Sequence, residues 1–130
     1  MKFKQILLLI IAISIVLLSC KKEDEKTPQE MLEGKWTIHS SEILGSTVPG
    51  DGSYLQFNAS FDGVDYKASD TTYGTFTYSM NETATIINIT DTISDGGNWN
   101  FAWDVLDLTE AKLRMTTTTF LGNLTVEFNK

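Results

Sequence analysis

Asn98-Trp99-Asn100-Phe101-Ala102-Trp103-Asp104-Val105 alternates large apolar side chains with small or polar ones at every step. Successive side chains of an extended chain point to opposite faces. Trp99, Phe101, Trp103 and Val105 therefore share one face, and Asn98, Asn100, Ala102 and Asp104 share the other. Wound as a helix, the same residues would scatter the four large side chains around the axis. The stretch reads as a strand with one buried side, and the end of the chain repeats it: Leu124, Val126 and Phe128 oppose Thr125, Glu127 and Asn129.

Working outward, the rest of the chain beyond residue 32 reads the same way. Residues 35–43 put Trp36 and Ile38 on one face, 53–58 pair Leu55 with Phe57, and 61–68 follow. Residues 75–80 align Phe76, Tyr78 and Met80, 84–90 are rich in isoleucine, and 112–120 follow a turn at Thr109-Glu110-Ala111. Gly, Asn and Asp recur about every ten residues as turn signals, and no helical period persists. About eight short strands with tight connections predict a meander. A meander of this length removes its exposed edges by closing into an up-and-down antiparallel β-barrel. A β-sandwich is the alternative that periodicity leaves open.

The first twenty residues have a different chemistry. Lys2 and Lys4 precede an apolar run over residues 6–18, relieved only by Ser14, and Leu17-Leu18-Ser19-Cys20 closes it. That is the order of a secretory signal. A run of about 13 residues spans about 20 Å as a helix, short of the about 30 Å of a bilayer core. The closing residues resemble the lipobox of bacterial lipoproteins, with Leu17 three residues before the cysteine and the small Ser19 next to it; Leu18 is bulkier than usual at its place. The resemblance implies a diacylglycerol on the Cys20 sulfur, cleavage before Cys20, and acylation of the new amine with a chain such as palmitate. Several acyl chains anchor stably where one does not.

The expected organisation is a signal peptide over 1–19, the lipidated cysteine and a flexible leash over 20–31, and one domain over 32–130. Lys21-Lys22-Glu23-Asp24-Glu25-Lys26 is too polar to bury and reads as a spacer. It also resembles the lysine-plus-acidic export signal of surface lipoproteins in the Bacteroidota. Both readings stay open, so the expected location is the cell outer membrane, lipid-anchored, facing the periplasm or the surface.

Cys20 is the only cysteine, so acylation leaves neither a disulfide nor a catalytic thiol. The chain carries 10 basic and 17 acidic residues, net −7, and −9 once Lys2 and Lys4 leave with the signal. That charge disfavours nucleic acid as a partner. Little points to an enzyme: His39, the only histidine, falls at an outward phase of the first strand without metal-ligand spacing around it, and no nucleophile elbow, phosphate loop or zinc-protease motif occurs. Asp62 and Asp65, and again Asp91, Asp95 and Asn98, offer oxygens in which calcium could sit. Without the spacing of a calcium loop they read as solvated turn acids. No metal and no cofactor is expected.

Asn58, Asn81, Asn88 and Asn123 each begin an N-glycosylation triplet, which carries no meaning for a bacterial envelope protein. Asp70-Thr71-Thr72 and Asp91-Thr92-Ile93 resemble the O-glycosylation site of the Bacteroidota, making Thr71 and Thr92 candidate modification sites.

Leu32-Glu33-Gly34-Lys35-Trp36-Thr37-Ile38 resembles the opening of the lipocalin-like domains of Bacteroidota lipoproteins, in which a leucine precedes a Gly-x-Trp on the first strand. Gly74-Thr75-Phe76-Thr77-Tyr78 and the segment from Trp103 to Leu113 are similar to later parts of that pattern, so the likeness runs through the whole domain. It implies a barrel of about eight strands with Trp36 across its closed end and, in some members, a cavity for an apolar ligand; the domain is expected to be a monomer. Phe76, Tyr78, Trp99, Phe101 and Trp103 then become the candidate ligand-binding wall. The same aromatic stripe equally serves a filled core, in which case the chain is a structural or protein-interaction module.

Overall fold

Gly34 starts the first strand at φ 114°, and from there the chain is extended almost to its end. The computed structural model describes residues 24–93 and 99–130. Its strands are β1 (Gly34–Ile43), β2 (Ser46–Pro49), β3 (Tyr54–Phe57), β4 (Asp62–Lys67), β5 (Thr72–Met80), β6 (Ile86–Ile93), β7 (Ala102–Leu108), β8 (Lys112–Thr119) and β9 (Gly122–Asn129). Every pairing is antiparallel. β9 returns to β1, from Thr37 beside Asn129 to Ile43 beside Leu124, so the sheet closes as a barrel and the sandwich alternative falls.

Nine segments fill eight wall positions because β2 and β3 lie end to end along one edge of β1. Between them Gly50 N–H donates to His39 O (2.8 Å) and Ile38 N–H donates to Ser53 O (2.9 Å), leaving Asp51 and Gly52 looped out. A Cβ on Gly50 would lie 1.9 Å from Ile38 O, so only glycine allows this approach. β2 joins β1 through Leu44-Gly45, both at positive φ (52° and 75°), the two-residue turn whose twist suits a hairpin.

Two local expectations change. The leash expected over 20–31 gives way before its end: Pro28–Leu32 form a helix, α1, at the barrel's end. Thr27 caps it: its side chain accepts the Glu30 N–H, while the Glu30 carboxylate accepts the Thr27 N–H at 2.7 Å, and Pro28 occupies the first turn. The strand expected from residue 98 starts at Ala102 instead. Phe101 N–H donates to Trp99 O at 2.7 Å, a tight bend that takes Trp99 off the strand axis.

The core fills the end from which β1 starts. Leu32 and Trp36 are fully buried there, and Trp36 Nε1 donates to Leu32 O at 2.6 Å, which fastens the helix across the barrel floor. Phe57, Phe76 and Tyr78 stack edge to face above it, with ring centroids 5.0–5.3 Å apart around Phe57. Leu113, Met115, Val126 and Phe128 complete the far wall. Gly63 faces inward in this layer, and a Cβ on it would lie 2.3 Å from both Gln56 O and the Phe76 ring. The missing side chain is the seat of the phenylalanine.

Candidate functional site: the barrel mouth

At the opposite end the interior is not filled. A cavity of about 350 Å³ opens at the mouth, its apolar wall formed by Ile38, Val48, Trp99, Trp103 and Leu124 and its polar side by Ser41, Ser53, Asp51 and Lys67. Small-ligand pockets of about 300–1,000 Å³ begin at this size. A larger depression of about 530 Å³ lies outside the barrel, against the N-terminal segment and Glu110, and its lining contains no aromatic side chain.

The tryptophans are held from behind. Trp103 is buried, and its Nε1 donates to Trp99 O at 3.1 Å. The Trp99 ring lies 5.4 Å from that of Trp103 and 5.8 Å from that of Phe128. Thr117, beside them on β8, is buried with its hydroxyl donated to Ala102 O at 2.8 Å. On the other side Ser53 Oγ accepts the Ala68 N–H at 3.0 Å.

Two carboxyls stand inside the barrel next to residues of the lining, without belonging to it themselves. Asp65 on β4, only 2% exposed, sits in register between Leu55 on β3 and Gly74 on β5. Lys67, two residues further along β4, already lines the cavity. Asp91 on β6 accepts the Trp99 N–H through Oδ2 at 3.2 Å. Asp65 Oδ2 and Asp91 Oδ1 are buried without a hydrogen-bond partner among the described residues. Burial pushes the Asp65 carboxyl above its ordinary range, and the Asp91 charge adds to this. Burial likewise raises Asp91, against the pull of the Trp99 and Asn100 backbone N–H groups.

These positions correct one expectation: Asp65 and Asp91 are not solvated turn acids but inward-facing strand residues. Asp62 is exposed on the opposite face of β4, where it accepts from Asn58 and Ser60, so the Asp62 and Asp65 side chains do not converge. His39 is exposed at a bulge of β1.

Of the five residues expected to form a ligand wall, Trp99 and Trp103 line the cavity. Phe101 packs edge-on against Trp103 at 6.1 Å, outside the lining. Phe76 and Tyr78 belong to the closed end, where the Tyr78 hydroxyl donates to Asn58 O and accepts from Gln29, each at 2.6 Å. Strand phase in the sequence points all five inward, but it does not tell how far along the axis each stands or that Trp99 and Phe101 precede the strand. Thr71 is exposed at φ 55° in the β4–β5 turn, and Thr92 lies on β6 with its side chain outside the described residues, as Cys20, Asp95 and Asn98 are. Ile38, Leu124 and Ser53 also line the cavity, and nothing in their sequence context separates a cavity wall from a core.

No family model and no curated protein sequence matches the chain. Its fold is similar to solved structures from Bacteroides. A lipocalin-like protein from Bacteroides uniformis ATCC 8492 superposes with a TM-score of 0.59 at 17% identity, over 77% of this chain and 99% of that one. An uncharacterized protein from Bacteroides eggerthii DSM 20697 gives 0.55 at 17% identity, over 76% and 99%. At such identity the likeness is one of fold: a closed, lipocalin-like antiparallel barrel.

Proposed function

We propose that this chain is an envelope lipoprotein, tethered through acylated Cys20, whose barrel mouth binds a small and largely apolar molecule without transforming it. The observation that carries the binding reading is the mouth cavity itself, walled by Trp99, Trp103, Ile38 and Leu124 in a barrel otherwise packed with side chains. Its concave, mostly apolar surface with a few polar groups on one side suits a ligand that is oriented as well as enclosed. The tether rests on Lys2, Lys4, the apolar run over 6–18 and the Leu17-to-Cys20 closure. α1 and the described residues just before it lie at the closed end, so a tether entering through them would leave the mouth facing away from the anchoring membrane.

Binding is tested by titrating apolar probes of eight to twelve carbons while following tryptophan fluorescence, with mass spectrometry of the purified chain for co-purified lipid. Saturable quenching that Leu124→Trp abolishes by filling the cavity supports the reading; no quenching by any probe defeats it. Globomycin should leave an uncleaved form, and Cys20→Ala should abolish detergent-phase partitioning. A Cys20→Ala chain that stays with the membrane is held by its apolar segment instead.

A second reading is favoured by the outer rim. The neighbouring hairpin tips Leu44-Gly45 and Phe120-Leu121 expose Leu44 (73%), Phe120 (96%) and Leu121 (51%), more apolar surface than tight turns require. On that reading the chain is a monomeric protein-interaction module, and substitutions at the tips rather than in the cavity abolish its activity.

A further inference from the structure

Apolar walls alone do not choose among an alcohol, a fatty acid and an amine, but the charges around the mouth cavity do. Asp51 lines it, Asp65 is buried inside the barrel two residues along β4 from the lining residue Lys67, and Asp91 accepts from the backbone of Trp99, which forms its wall. Lys67 is the one cation in the lining among the described residues, and its Nζ is engaged by Asp70. Asp65 is 2% exposed and points into the barrel with Oδ2 unpartnered; Asp91 Oδ1 is unpartnered as well. A buried carboxylate oxygen with no donor is costly, and the natural complement to two of them is a group that brings positive charge and several N–H donors at once. The paired indoles add a second preference of the same sign, since a cation is attracted to an aromatic face.

We propose that the ligand is an ammonium-bearing amphiphile, its positive head turned toward Asp65 and Asp91 and its apolar tail lying against Trp99, Trp103 and Leu124. The proposal rests on the binding reading above and adds the chemistry of the head. An anionic head of the same length meets uncompensated carboxyls, and a neutral one supplies a single donor.

The test titrates the full chain at neutral pH with octylammonium, octanol and octanoate, following tryptophan fluorescence. Octylammonium should bind about tenfold tighter than octanol, the value of one charge-assisted hydrogen bond, with octanoate weakest. Asp65→Asn, close to isosteric, should erase the advantage of octylammonium while leaving octanol affinity in place; Asp91→Asn should reduce it. Equal affinity for the three, or octanoate tightest, overturns the head-group assignment and leaves the cavity as a general apolar site. Binding of none overturns the cavity reading together with it. Should Asp65→Asn fail to fold, the order of the three affinities on the unaltered chain decides alone.

Discussion

Follow the inward-facing rows of β3, β4, β6 and β8 from the floor of the barrel to its mouth and the chemistry changes along a single strand. β3 runs from Phe57 and Leu55 to Ser53 just beyond its end; β6 runs from Ile87 and Ile89 to Asp91; β8 runs from Leu113 and Met115 to Thr117. On β4 the same step goes from Gly63, seat of the Phe76 ring, to Asp65. The closed half is apolar and its buried polar atoms are paired, as Trp36 Nε1 is with Leu32 O. The mouth half buries two carboxyls with unpartnered oxygens and leaves space beside them. Stability alone does not produce the second half, because packed apolar residues would serve it better. One end of the barrel holds the fold; the other carries a cost, which the binding reading explains as the keeping of a site.

The largest effect expected from this contrast is Trp36→Ala, which removes a fully buried indole and its hydrogen bond and should lower stability by about 3–5 kcal/mol in denaturant titration. Trp99→Ala, at the partly buried mouth, should cost clearly less; equal losses would erase the distinction between the two ends. Next comes Gly63→Ala. The new methyl would press on Gln56 O and Phe76, and a loss toward the upper end of the about 1–3 kcal/mol of overpacking is expected. A neutral outcome would mean that the closed half is not tightly packed.

A subtler expectation concerns pH. Burial raises both Asp65 and Asp91 in the folded chain, so just above the ordinary carboxyl value of about 3.9 the folded state holds more protons than the unfolded one. Stability from these groups is therefore complete in acid and declines as pH rises through the interval between unfolded and folded values. Asn does not titrate, so the melting temperature of the unaltered chain minus that of Asp65→Asn should fall as pH is raised from 4 toward neutral. A difference that is flat or rising would place Asp65 in a solvated setting. Smallest of all, Phe120→Ser at a tip 96% exposed should change stability by no more than about 0.5 kcal/mol.

The wall was legible because β residues declare their phase: Trp36 and Ile38, Leu55 and Phe57, Phe76 and Tyr78, and Val126 and Phe128 alternate as buried faces must. β2 has no such signal, since Ser46–Pro49 is four residues long and exposed throughout. α1 had a visible signal in Thr27-Pro28-x-Glu30, which is too short to show a period. The mouth was harder. On alternation alone Val64 and Tyr66 of β4 belong inside, yet they face out, where Tyr66 joins Tyr54 and Tyr73 in a row of rings 4.9–5.1 Å apart. That outer row lets Gly63 and Asp65 take the interior, and no local pattern announces an aspartate that neighbouring strands will bury.

The pairing of β1 with β9, which closes the barrel, also governs how the chain reaches its fold. Every other junction in the wall joins segments adjacent in sequence or, for β1 and β3, separated only by the short β2, while this one brings Thr37 to Asn129. The entropy of closing so long a loop falls due before the contact returns anything, which puts closure late and folding on the slow, millisecond-to-second side. Until the eight residues of β9 arrive, β1 and β8 both present open edges that can recruit a strand from another molecule. Removing Gly122–Asn129 should therefore yield an aggregating chain rather than a smaller barrel.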